Sequence, residues 1–138
     1  MPSQNSAETS HILGIDFGQA KVGLALADSE TKIAFAYNTL DNDKNIFDKI
    51  GDIIVKEAVS IVVIGKPKEI EQYKSVDVSR FAEEIAESFP LINIEFEDEM
   101  FTTKMAEDNL KEKGVKKIKE LDNQEAASII LQSWLDRN

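Results

Sequence analysis

Apolar residues come in short runs over the first third of the chain and in helically spaced stripes further on. Ile12, Leu13, Ile15 and Phe17 form a run that predicts a buried strand over 11–17, broken by Gly18. A second strand is expected over 21–28. A turn at Asp28-Ser-Glu-Thr31 and an alternating third strand over 32–40 follow. Links this tight imply an antiparallel meander. Ile46, Ile50, Ile53 and Ile54 then recur at helical spacing over residues 44–58, with Asp43 as the expected N-cap. The β-branched run from Ser60 to Gly65 suits a buried parallel strand, and a loop containing Pro67 follows it. Val78, Phe81, Ala82, Ile85 and Ala86 mark a helix that ends before Pro90, and Ile92, Ile94 and Phe96 alternate as a fifth strand. Thr102 or Thr103 can cap a short helix closed by Gly114. A last helix carries Ala127, Ile130, Leu131, Trp134 and Leu135 on one face. The expected architecture is one α/β domain over 11–138: a five-stranded mixed sheet, three strands antiparallel and two parallel, with helices on both faces.

Residues 1–10 are expected to be a disordered polar tail; residues 2–10, PSQNSAETS, lack the basic and apolar regions of a signal peptide. With no cysteine, disulfides and thiolate metal sites are excluded, and a reducing, cytoplasmic setting is expected. No apolar run approaches the roughly 20 residues that span a bilayer, so no membrane partner is expected. The net charge of −10 opposes nucleic-acid binding, which depends on lysine and arginine neutralising phosphates. The charge is uneven, however. Lys111, Lys113, Lys116, Lys117 and Lys119 form one basic cluster, and Lys66, Lys68, Lys74 and Arg80 a looser second. Either cluster reads as a basic rim for nucleic acid or as ordinary solvated surface.

Three segments carry candidate chemistry. Asp16 stands where the first strand gives way to a glycine-containing turn, in Gly14-Ile-Asp16-Phe-Gly18-Gln-Ala-Lys21-Val-Gly23. A carboxylate ending an apolar strand needs a partner, either turn amides or a metal ion. The turn glycines Gly18 and Gly23 admit a close phosphate backbone. The same D-x-G-x-x-x-x-G pattern resembles the phosphate loop of actin- and hexokinase-like ATPases. The second segment is Glu97-Asp98-Glu99. If the first, fourth and fifth strands are parallel neighbours, its carboxylates lie within about 10 Å of Asp16, two strand spacings. A bland alternative is an acidic approach to a helix N-terminus. The third segment is Asp122-Asn123-Gln-Glu125, where Asp122 and Glu125 have capping-box spacing.

Together the segments resemble the YqgF (RuvX-like) family of pre-16S rRNA nucleases, which are related to Holliday-junction resolvases and have the RNase H-like fold. Ile15 to Ala25 match I-D-x-G-x-x-[KR]-x-G-[VL]-A, and Ile64-Gly65-Lys66-Pro67 match [VI]-G-x-P, with Gly65 and Pro67 as structural turn residues. Asp98 to Thr103 match D-E-R-x-[TS]-T in part. Residues 123–135 match D-x-x-A-A followed by I-L-x-x-[YW]-L. The resemblance implies three catalytic carboxylates that bind Mg²⁺ or Mn²⁺. The first is Asp16, the second Glu99, and the third position falls on Asn123, with Asp122 next to it as the alternative. Met100 replaces the motif arginine.

By the same resemblance the protein would be a metal-dependent endonuclease acting on structured RNA, in 5′-end maturation of pre-16S rRNA. Asp16 would bridge two ions roughly 4 Å apart, with Glu99 on one and Asp122 or Asn123 completing the set. Lys21, Lys66, Lys113, Lys116 and Lys117 would contact the nucleic-acid backbone. The expected partners are RNA or a ribosomal precursor, with branched DNA as the older suggestion, and the expected state is a monomer or weak dimer. Two rivals remain. One is an inactive or weakly active domain that binds RNA or an assembly partner, favoured by Asn123 and Met100. The other is an ATP-binding protein, disfavoured because that superfamily normally closes two such domains around the nucleotide.

Overall fold

The computed structural model of the protein describes residues 10–66, 72–98 and 122–138, with residues 72–76 described in their backbone alone. The polar segment 1–9, Pro67, the segment from Glu99 to Leu121 and the helix expected after Thr102 lie outside the described residues.

Five strands form one sheet: β1 (His11–Phe17), β2 (Lys21–Asp28), β3 (Ala34–Asp41), β4 (Val59–Lys66) and β5 (Asn93–Asp98). Their order is β3-β2-β1-β4-β5. The β1–β2 and β2–β3 pairs are antiparallel, and the β1–β4 and β4–β5 pairs are parallel. This is the mixed sheet that the apolar pattern predicts. The third strand starts later than expected because Lys32 takes a left-handed conformation (φ 56°) and donates its amide to Asp28 O, which prolongs the turn.

Helices α1 (Ile46–Lys56) and α2 (Gln72–Ser88) cover one face, and α3 (Asn123–Arg137) covers the other. The N-cap of α1 is Asn45 rather than Asp43. The Asp43 carboxylate instead accepts the Asn45 amide at 2.9 Å, an Asx turn that leads into the helix. Ile46, Ile50, Ile53 and Ile54 of α1 and Val78, Phe81, Ala82 and Ile85 of α2 pack on Leu13, Ile15, Leu24, Val62 and Ile64. Full burial of one such side chain stabilises by about 1.5–3 kcal/mol. The other face is thinner. There Ala127, Ile130, Leu131 and Leu135 of α3 meet Ile12, Ala25, Ala27 and Val63.

Two glycines on that face determine how closely α3 approaches. A Cβ on Gly14 would stand 2.7 Å from Leu131 Cβ, and one on Gly23 would stand 1.9 Å from Asn123 O. Gly23 therefore lies within β2 and spaces the sheet from α3, correcting its expected place in a turn. Gly65 likewise lies inside β4. Gly18 does open the β1–β2 turn, where a Cβ would meet Lys21 O at 2.6 Å.

Candidate nucleic-acid and metal site

The carboxyl ends of β1, β4 and β5 meet at one edge of the sheet, together with the start of antiparallel β2. Parallel strands place ligand sites at such edges. Strand alternation turns Asp16, like Gly14, toward α3. Asp16 pairs with Gly23 across the β1–β2 ladder, and Gly23 touches the Asn123 backbone. Asp16 and the first residue of α3 therefore both adjoin Gly23, one across the strand ladder and the other in the helix layer. Asp16 is half-buried, as is Asn123.

Asp122 has the first of its two open roles, the helix cap. Its Oδ1 accepts the Glu125 amide at 2.8 Å, and its backbone is extended as an N-cap requires. Glu125 also brings an acidic side chain to the first turn of α3, where the helix dipole favours it.

The register Ile15↔Ile64↔Phe96 and Gly65↔Glu97 puts Asp16, Gly65 and Glu97 in one row, two strand spacings or about 10 Å end to end. Glu97 is fully buried. It accepts the Ser133 hydroxyl at 2.6 Å and pairs with the Arg137 guanidinium. A buried carboxylate held this way serves as a tie between β5 and α3. In the sequence Glu97 stands out only as part of an acidic approach. The signal that could have found its role is period-2 alternation, which turns Glu97 away from Ile94 and toward the i, i+4 pair Ser133 and Arg137. The expected inward alternation also fails at Phe96, which is 45% exposed on the edge strand.

Lys21 and Lys66 stand at this same edge and are both exposed. Lys21 is ion-paired with Asp41, and the ammonium holds the Asp41 carboxyl below the ordinary carboxylate range. The pair is open to solvent and therefore weak, so a phosphate can compete for Lys21. Lys113, Lys116 and Lys117 lie outside the described residues, as does Glu99. Among the described residues no group of three His, Cys, Asp or Glu side chains gathers as a metal site. Asp16 and Asn123, on either side of Gly23, both carry side-chain oxygen, the element preferred by hard divalent cations. That donor chemistry is compatible with a hard divalent cation such as Mg²⁺ or Mn²⁺.

No described helix is long and apolar enough to cross a membrane. A family model described as Holliday junction resolvase, RuvX, matches residues 10–137. A protein of Corynebacterium diphtheriae named "Putative pre-16S rRNA nuclease" is 31% identical, over 99% of this chain and 90% of its own length. One of the same name from Porphyromonas gingivalis is 36% identical, over 91% of this chain and 95% of its own. Among solved structures, T. thermophilus RuvC in complex with Holliday junction substrate superposes with a TM-score of 0.61 at 12% identity. It covers 93% of this chain and 94% of that one. At that identity the likeness establishes the RNase H-like fold.

Proposed function

The chain belongs to the RuvX family, and from that membership we propose that it is a metal-dependent endonuclease that cleaves phosphodiester bonds in structured RNA, maturing the 5′ end of pre-16S rRNA during ribosome biogenesis in the cytoplasm. The observation that carries this reading is the placement of Asp16 beside the N-terminus of α3, at the carboxyl edge of the sheet. Asp16, Glu99 and the Asn123 carbonyl oxygen would hold Mg²⁺ or Mn²⁺. The bound ion would supply Lewis-acid activation of water and of the scissile phosphate. The protein's own part is positioning. Gly23 brings α3 onto the sheet beside Asp16, the Asp122 cap secures the start of that helix, and Lys21 and Lys66 attract the phosphate backbone toward the edge.

The test is Asp16→Asn, with Mn²⁺ affinity measured by calorimetry and cleavage measured on a pre-16S rRNA 5′ fragment. Outer-sphere partners of a metal are typically worth 10–100-fold, so loss of a direct ligand should weaken Mn²⁺ binding by more than about 100-fold while the melting temperature stays near that of the natural protein. Unchanged Mn²⁺ affinity sinks the metal site. A second reading, a domain that binds RNA or a ribosomal precursor without cleaving it, is favoured by the neutral Asn123 and by the engagement of Asp122 in capping. It predicts RNA binding that Asp16→Asn leaves intact, with no cleavage by either form. A branched DNA substrate in the same assay separates the resolvase alternative.

A further inference from the structure

On the face of the sheet opposite α3, a groove of about 400 Å³ runs between α1 and the end of α2. Its walls include Phe47, Gly51 and Val55 of α1 and Phe89 just beyond α2, with Asp48 and Asp52 at the rim. The α1 sequence explains its form. Ile46, Ile50, Ile53 and Ile54 point into the core, which leaves Asp48, Asp52 and Val55, at spacing i, i+4, i+7, along an outer stripe. Gly51 permits the floor, since a Cβ there would stand 2.7 Å from the Phe89 ring. Phe47 and Phe89 are partly buried against the core, whereas Val55 is 77% exposed.

The charge of this groove selects among occupants. Both ionised side chains at its rim are carboxylates, and neither takes part in an ion pair among the described residues. Nucleic acid would meet like charge. So would a second copy of a chain whose net charge is −10. An apolar floor beneath two rim carboxylates that form no ion pair among the described residues is complementary to an amphipathic helix with lysine or arginine flanking its apolar side chains. We propose that the α1–α2 groove docks a basic amphipathic helix of a protein partner, with an apolar side chain on Phe47 and Phe89 and its cations facing Asp48 and Asp52. A partner held there leaves Asp16 and the start of α3 uncovered, because α1 and α2 lie on the other face of the sheet.

The probe is a fluorescein-labelled 16-residue peptide with leucines at i, i+3, i+4 and i+7 and lysines elsewhere. It is titrated in anisotropy at fixed salt against the full chain, beside a peptide of the same composition with the leucine order scrambled. The ordered peptide should bind and the scrambled one bind more weakly. Asp48→Asn with Asp52→Asn should weaken the ordered peptide roughly three- to tenfold, the loss of two exposed ion pairs. Val55→Glu, at an exposed helix position, should weaken it about tenfold or more by placing a charge under the apolar face. Glu83→Gln with Glu84→Gln alters net charge equally on the exposed side of α2 and should change affinity less than about twofold. Thermal melts confirm that each variant is folded. The proposal is overturned if the ordered peptide does not bind, if the scrambled peptide binds as well, if the two double variants weaken binding equally, or if sedimentation shows the chain pairing with itself and Val55→Glu dissolving that pair.

Discussion

Position 123, where the resemblance implies a carboxylate, holds a neutral asparagine whose backbone lies against Gly23, the strand partner of Asp16. Asparagine offers a metal one carbonyl oxygen and no charge, so an ion held as proposed would be less fully neutralised than one held by three carboxylates. Cleavage by the natural protein is therefore expected to be slow. Asn123→Asp should raise it about tenfold, equivalent to roughly 1.4 kcal/mol of transition-state stabilisation. The neighbouring carboxylate is a control. Asp122 caps α3 through the Glu125 amide, so Asp122→Ala should cost about 1 kcal/mol of stability and leave the cleavage rate near its natural value. Rates with Mg²⁺ and Mn²⁺ on a precursor rRNA fragment, alongside urea denaturation, separate the two roles. A large loss of rate in Asp122→Ala without loss of stability would make Asp122 a ligand. An unchanged rate in Asn123→Asp would show that the amide is no handicap.

Among the elements, α3 joins fold to site, and its seat depends on two glycines. At Gly14 an added Cβ meets Leu131 Cβ at 2.7 Å and the Ala127 carbonyl at 3.2 Å, and at Gly23 it meets the Asn123 carbonyl at 1.9 Å; all of these atoms move only with the helix, but the overlap at Gly23 is the deeper. Gly23→Ala should therefore destabilise more than Gly14→Ala, by about 1–3 kcal/mol or more. It should also lower Mn²⁺ affinity by lifting the start of α3 from Asp16. Equal denaturation midpoints for the two variants would argue against this. The strands and the α3 stripe are legible in sequence because burial imposes periods of 2 and 3.6 on them, whereas the sheet order is not written in those periods. The role of Gly23 is not: a glycine motif does not reveal whether a phosphate or a helix will fill the space, and only the crossing of α3 over β2 decides it. Asp43 is ambiguous for a related reason. An aspartate before a helix can cap the helix or bond the amide two residues on, and here it does the latter. Glu97 is hidden because its partners, Ser133 and Arg137, come from the far end of the chain.

For the whole molecule, the difficulty is binding polyanionic RNA with a net charge of −10. The charges must be segregated for this to work, and the described residues show part of that segregation. Lys21 and Lys66 stand at the sheet edge with Asp16, beside the exposed Asp41 and Asp98, whereas the α1–α2 face exposes Asp48, Asp52, Glu83, Glu84 and Glu87 against Lys56 and Arg80. Binding then proceeds with the acidic face turned to solvent, and its strength depends on how many lysines reach phosphates rather than on the total charge. Lys113, Lys116 and Lys117 are the densest available source of such pairings in the sequence. Replacing all three by glutamate should weaken RNA binding and flatten its salt dependence, by about 0.7–0.9 log units of slope for each lysine–phosphate pairing removed. The slope is the more discriminating measurement. Added negative charge anywhere on the molecule lowers affinity through its long-range field, but only a lysine that displaces counterions from the RNA contributes to the number released. Affinities of the natural and substituted chains across a range of KCl concentrations therefore decide whether the cluster is a binding rim. Parallel lines displaced vertically would assign these lysines to ordinary surface, and converging lines would place them on the RNA.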